Sequence, residues 1–233
     1  MRRLAVLIVL CIGAPASGQD NDAEKLYRAT EKKVHAGKSL QVVFDAEMVG
    51  QGGKLTFKGT VSFGLGNKAR MDLAANFGRN TEKILFIADG MQGYLKEGDK
   101  GKVDPNPKKV QQLDKILPGL LARLGLATMF MIARSDFNNQ NDFDLDKDTA
   151  IKNFKLGAKE MVGKRNTQVV DYQVEFQGET SKVSLWIDTQ TQLPLKRVLT
   201  AEKMGQTFQI TETYTTFQVD TKLDPKLFEI PAK

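Results

Sequence analysis

The chain has 233 residues, 34 Lys and Arg against 28 Asp and Glu, a formal charge of +6, and one cysteine, Cys11. A single cysteine excludes an internal disulfide framework. Basic residues scattered among acids, as in KEGDKGK at 96–102, exclude the basic and aromatic stripe of a nucleic-acid binder. Residues 1–18 read as a secretory signal peptide, with Arg2 and Arg3, an apolar run from Leu4 to Gly13, and Ala16-Ser17-Gly18 before cleavage at Gln19. Cys11 lies inside that run behind Leu10, so no lipid anchor is predicted. Export to the periplasm would leave residues 19–233 as one domain, without a thiol.

Residues 22–36 are expected to form an amphipathic helix, capped by Asp22, with Leu26, Thr30 and Val34 on one face and Gly37 ending it. The period then changes to two. Leu40, Val42, Phe44, Ala46 and Met48 share a face, followed after QGG by Leu55, Phe57, Val61 and Phe63. After GLGN at 64–67 the alternation continues through Ala69, Met71, Leu73, Ala75 and Phe77, which makes an antiparallel meander with short glycine turns. ILFIA at 84–88 is apolar on both faces and is expected in the middle of the sheet, with Phe86 on the inner side. Asp89-Gly90 turns it back through Tyr94 and Leu95. Composition predicts a loop over 99–107 and an exposed polar connection over 138–148.

Between them lies LPGLLARLGLATMFMIAR, 117–134, with Arg123 the only charge from Ile116 to Ala133. Pro118, Gly119 and Arg123 spoil it as a membrane span. Met129, Phe130 and Met131 are soft, adaptable side chains, matched by Met48 and Met71 on the strand faces. The segment can be a core helix, or a pliable lid over an apolar pocket. Beyond residue 150 the pattern is strand again: Val170 to Phe176, KVSLWID at 182–188, LPLKRVLTAE at 193–202, and 206–220. A slip of phase in the last predicts a bulge near Tyr214 to Thr216. The total is about ten strands and two or three helices, a mainly β chain of the α+β kind in which the sheet curls into an open barrel or sandwich with the mid-chain segment as cover.

Catalytic and metal signatures are weak. His35, the single histidine, sits at a helix end where the dipole favours it, and no G-x-S-x-G, S-x-x-K or H-E-x-x-H occurs. Gly64, Gly66 and Ala69 spell G-x-G-x-x-A, but a strand follows where a phosphate-binding helix is needed. Asp142, Asp144, Asp146 and Asp148 resemble the front of a calcium loop, yet Lys147 takes the glycine position and Asn153 the glutamate position. No cofactor, metal site or catalytic residue is therefore expected, and the reading is non-enzymatic.

Several segments in order resemble the LolA-type outer-membrane lipoprotein carriers and their relatives. They are ILFIADGMQGYL at 84–95, LATMFMIARSDF at 126–137, LWIDTQTQLPLKR at 185–197 and LDPKLFEIP at 223–231. The resemblance implies a half-open antiparallel β-barrel covered by a helical lid, binding lipoprotein acyl chains or other lipids between sheet and lid. Phe44, Met48, Phe57, Phe63, Met71 and Phe86 would line the sheet side, and Leu120, Leu124, Met129 and Met131 the lid side. Carriers of the family hold the lid with an arginine on an early strand; the matching position here is Leu65. The implied partners are lipid or lipoprotein acyl chains, with membrane-associated donor and acceptor proteins. An RseB-like sensor or adaptor acting on a membrane protein is the alternative with the same fold.

Overall fold

A single antiparallel sheet organises the chain. In the computed structural model the described residues are 17–51, 53–76, 78, 80–104, 113–129, 144–176, 178–203 and 205–231. The apolar run of the signal peptide, Phe77, residues 105–112, Phe130, Met131 and residues 138–143 lie outside them. Among the described residues there are eleven strands. They are β1 Ser39–Gly50, β2 Gly53–Gly64, β3 Lys68–Asn76, β4 Thr81–Asp89, β5 Gly93–Glu97, β6 Lys100–Asp104, β7 Ile151–Val162, β8 Arg165–Phe176, β9 Glu179–Asp188, β10 Pro194–Lys203 and β11 Gln206–Val219.

The spatial order is β6-β5-β4-β3-β2-β1-β11-β10-β9-β8-β7. Every neighbour is also a sequence neighbour except β1 with β11, so two meanders join along one seam and leave β6 and β7 as edges. That is a half-open barrel. Each hairpin turn needs only a few residues, and the alternation of period two decides which face each strand turns inward. Leu40, Val42, Phe44 and Ala46 are buried, with Gln41 and Val43 half-buried and Asp45 exposed between them. The bulge expected near Tyr214 is present. Val43 pairs with Thr216 and Phe44 with Tyr214, which leaves Thr215 as the extra residue.

Helix α1 spans Ser17–Ala36 and packs on β7, β8 and the mid-chain helix. It begins before Asp22, so that residue is not its cap. Its buried stripe is Ala23, Tyr27, Thr30 and Val34, while Leu26 is only half-buried. The mid-chain segment forms α2, Leu113–Leu124, and a further helical turn α3, 126–129, separated by Gly125. A single turn α4, Leu145–Asp148, follows, and a 3-10 turn at Pro225–Phe228 lies on β3 and β4.

Three expectations are corrected. Residues 100–104 are strand β6 rather than loop, because the hairpin partner β5 supplies the hydrogen bonds that the polar composition does not advertise. Strand β4 is third from an edge and not central, although it is flanked on both sides. The end of the polar stretch at 138–148 is the helical turn α4, capped by the Asp144 carboxylate, which accepts from Asp146 N and Lys147 N. The expected count of about ten strands agrees with the eleven found among the described residues.

Candidate functional site: a roofed inner face fastened by buried charges

The site is the inner face of the sheet and its helical roof. Register places Phe57, Ala46, Glu212, Arg197, Leu185 and Val170 in one row across β2, β1, β11, β10, β9 and β8. Four of these are apolar, and the central two are opposite charges facing each other across the β10–β11 pair. Each is only 1% exposed. A charge in such a layer is costly unless it is paired and hydrogen-bonded.

Both charges hold the roof. The Arg197 guanidinium donates from Nη2 to the Ala122 carbonyl at 2.6 Å, and Tyr27 Oη donates to the same carbonyl at 3.3 Å. Tyr172 Oη donates to the Arg123 carbonyl at 3.0 Å. These carbonyls belong to the last turn of α2, which has no intrahelical donor left for them. On the other side of the junction, the Glu212 carboxylate accepts from Ala127 N at 2.7 Å and Leu126 N at 3.1 Å, and also from the Tyr214 hydroxyl. It thereby satisfies the first N–H groups of α3. Gly125 sits between the two ends with φ +82°, and a Cβ there would lie 2.5 Å from Glu212 Oε2. Only glycine meets both requirements.

Electrostatics follow from this burial. Desolvation alone would lower the Arg197 pKa, but Tyr172, Tyr214 and Glu212 more than offset it, and the group is held charged above its ordinary range. Desolvation pushes the phenols of Tyr27, Tyr172 and Tyr214 up, so they remain neutral donors. Arg123, 5% exposed, anchors the outside of the roof. It reaches Glu31 Oε1 at 2.6 Å on α1, Asp146 Oδ1 at 2.5 Å and the Leu145 carbonyl at 2.7 Å on α4, and Thr149 Oγ1 at 3.1 Å. The single charge of the greasy segment is thus a three-element junction.

The residues expected to line a pocket fall into two groups. Phe44, Phe57, Phe63, Leu120, Leu124 and Met129 are buried in one core cluster. Met48, Met71 and Phe86 pack against that cluster but stay half-buried, and Met71 is paired with Phe86 across β3 and β4. Met131 lies outside the described residues. Leu65 is 61% exposed on the turn between β2 and β3. The sequence reading missed Arg197 and Glu212. Their signal was present in phase: Leu195, Arg197 and Leu199 alternate as one face, as do Ile210, Glu212 and Tyr214, so both charges point inward. No group of His, Cys, Asp and Glu able to hold a metal is found among the described residues. Nor is any helix there long and apolar enough to cross a membrane.

Comparison with solved structures finds LprF of Mycobacterium bovis, 13% identical over 91% of this chain and 98% of that one, with a TM-score of 0.51. Lipoprotein LppX of Mycobacterium tuberculosis is 11% identical over 86% and 100% of the two chains, with a TM-score of 0.45. A LolA superfamily protein of Nitrosomonas europaea is 12% identical over 89% and 97%, with a TM-score of 0.34. At this identity the likeness to LprF concerns the fold alone. No curated protein matches the chain. A family model described as "Predicted periplasmic protein (DUF2092)" matches residues 53–232, more than three-quarters of the sequence, and the chain therefore belongs to that periplasmic family.

Proposed function

We propose that the protein, secreted by cleavage of residues 1–18 and folded as one domain over 19–233, is a non-enzymatic periplasmic carrier or binding protein for acyl chains, whether of lipoproteins or of other lipids. The observation that carries this reading is the half-burial of Met48, Met71 and Phe86 on the inner face beside fully buried neighbours. These are flexible or flat apolar side chains beside a roof whose junction is fastened to the sheet by polar groups. An alkyl chain entering there would complete their burial, at about 0.8 kcal/mol for each methylene removed from water. Polar fastenings at the α2–α3 junction let the roof keep its place while the apolar packing beneath it changes.

Lipid extraction of the purified protein with mass spectrometry, joined to displacement of a fluorescent fatty acid, tests the reading. Co-purifying acyl lipid and saturable displacement are expected. Met71→Glu should weaken the displacement at least tenfold, because a carboxylate would face the bound chain. A protein that carries no lipid and binds no fatty acid would end the carrier interpretation.

A further inference from the structure

Five large apolar side chains are exposed among the described residues, Val49, Leu65, Met91, Leu95 and Met161, and two of them lie on touching turns. Leu65 is 61% exposed on the β2–β3 turn, and Met91 is 74% exposed on the β4–β5 turn. The two turns are pressed together, since a Cβ on Gly90 would lie 2.5 Å from the Gly66 carbonyl oxygen. Both exposed apolar residues therefore sit on adjacent turns at one rim of the half-barrel.

The turns are built to hold that pose. Asp89 Oδ1 accepts from Met91 N at 2.7 Å and Gln92 N at 2.8 Å, and Gly90 has φ +103°. Gly66 and Asn67 take φ +77° and +60°, and Asn67 Oδ1 accepts from Asp114 N at 3.3 Å in the first turn of α2. The rim is thereby tied to the start of the roof. Exposed Lys68 begins β3 beside the turn, and exposed Lys226 lies on the 3-10 turn whose Phe228 ring packs against Gly64. The nearby Asp89 carboxylate is already engaged by backbone N–H groups.

We infer that the Leu65–Met91 rim docks on an anionic lipid bilayer, with the two apolar side chains entering the interface and Lys68 and Lys226 meeting the headgroups. Two side chains expose far less than the ~800 Å² that a protein partner needs on each side. A bilayer requires only a small apolar insertion with basic neighbours. The inference deepens the carrier reading by giving the place of lipid exchange, and rests on that reading for its purpose though not for its geometry.

Flotation with phosphatidylethanolamine–phosphatidylglycerol vesicles should recover the wild type, weakening with salt. Leu65→Asp/Met91→Asp should lower the partition about tenfold while circular dichroism and fatty-acid binding stay unchanged. A second measurement avoids reliance on that variant. With an environment-sensitive fluorophore on Met91→Cys, emission should shift to the blue on vesicles, and the same label on Val49→Cys, at the other end of β1, should not respond. Absence of flotation by the wild type, or equal flotation by the double variant, overturns the inference. So does a self-association by ultracentrifugation that the double variant abolishes without vesicles. Flotation without fatty-acid binding would leave the docking rim standing and remove the carrier reading.

Discussion

Arg197 and Glu212 show how much two residues can decide. They stand opposite each other on β10 and β11, buried in an apolar row, and each closes one side of the break in the roof at Gly125. They form no direct ion pair, and removing either one takes away a charged hydrogen bond to the roof and the counter-charge facing the other, which costs about 1–3 kcal/mol. Arg197→Met is expected to lose about that much stability in urea denaturation. Adding Glu212→Gln should restore part of the loss, because the stranded charge disappears. Equal loss in the single and double variants would show that the two side chains act independently.

At the scale of elements, the junction of α1, α2 and α4 is held by Arg123 through Glu31 and Asp146. The hydrogen bond from Arg123, together with its charge, holds the Asp146 carboxyl below its usual value of 3.8. A lowered carboxylate stabilises the fold fully above its unfolded value. As pH falls, the unfolded chain takes up the proton first, and the contribution is gone once pH passes the folded value. Thermal unfolding should therefore show a loss of melting temperature below about pH 4. In Asp146→Asn that acid slope should be shallower and the neutral-pH melting temperature slightly lower, the decrement being small because Asp146 is largely exposed. An unchanged acid slope in the variant would remove Asp146 from the account.

For the whole molecule, three buried phenols make the fold sensitive to alkali. Tyr27, Tyr172 and Tyr214 are raised above the ordinary 10.0, chiefly by desolvation. Their contribution is complete below pH 10 and declines above it, because the unfolded chain releases those protons first. Ultraviolet titration should show these phenolates appearing only with loss of the circular-dichroism signal. Phenolate absorbance from all three in a folded protein would contradict their burial. The two edge strands, β6 and β7, leave the same half-barrel open on one side.

Much of this was legible in the residues. Alternation of period two fixes the face of each strand regardless of what the strand meets, so β1 to β4 and β8 to β11 follow from the sequence, as does the bulge at Thr215. Strand β6 was not legible, since a short polar edge strand is defined by its partner rather than by its own side chains. The greasy segment declared itself by composition, but its division at Gly125 did not. That break depends on Glu212, 87 positions away, whose oxygen occupies the space a side chain would need. Sequence determined which residues turn inward, because that is a local property of the backbone. Tertiary structure alone decided that two inward charges of opposite sign would hold the roof, because the backbone groups they meet at Ala122, Leu126 and Ala127 lie 75 to 86 positions away in the chain.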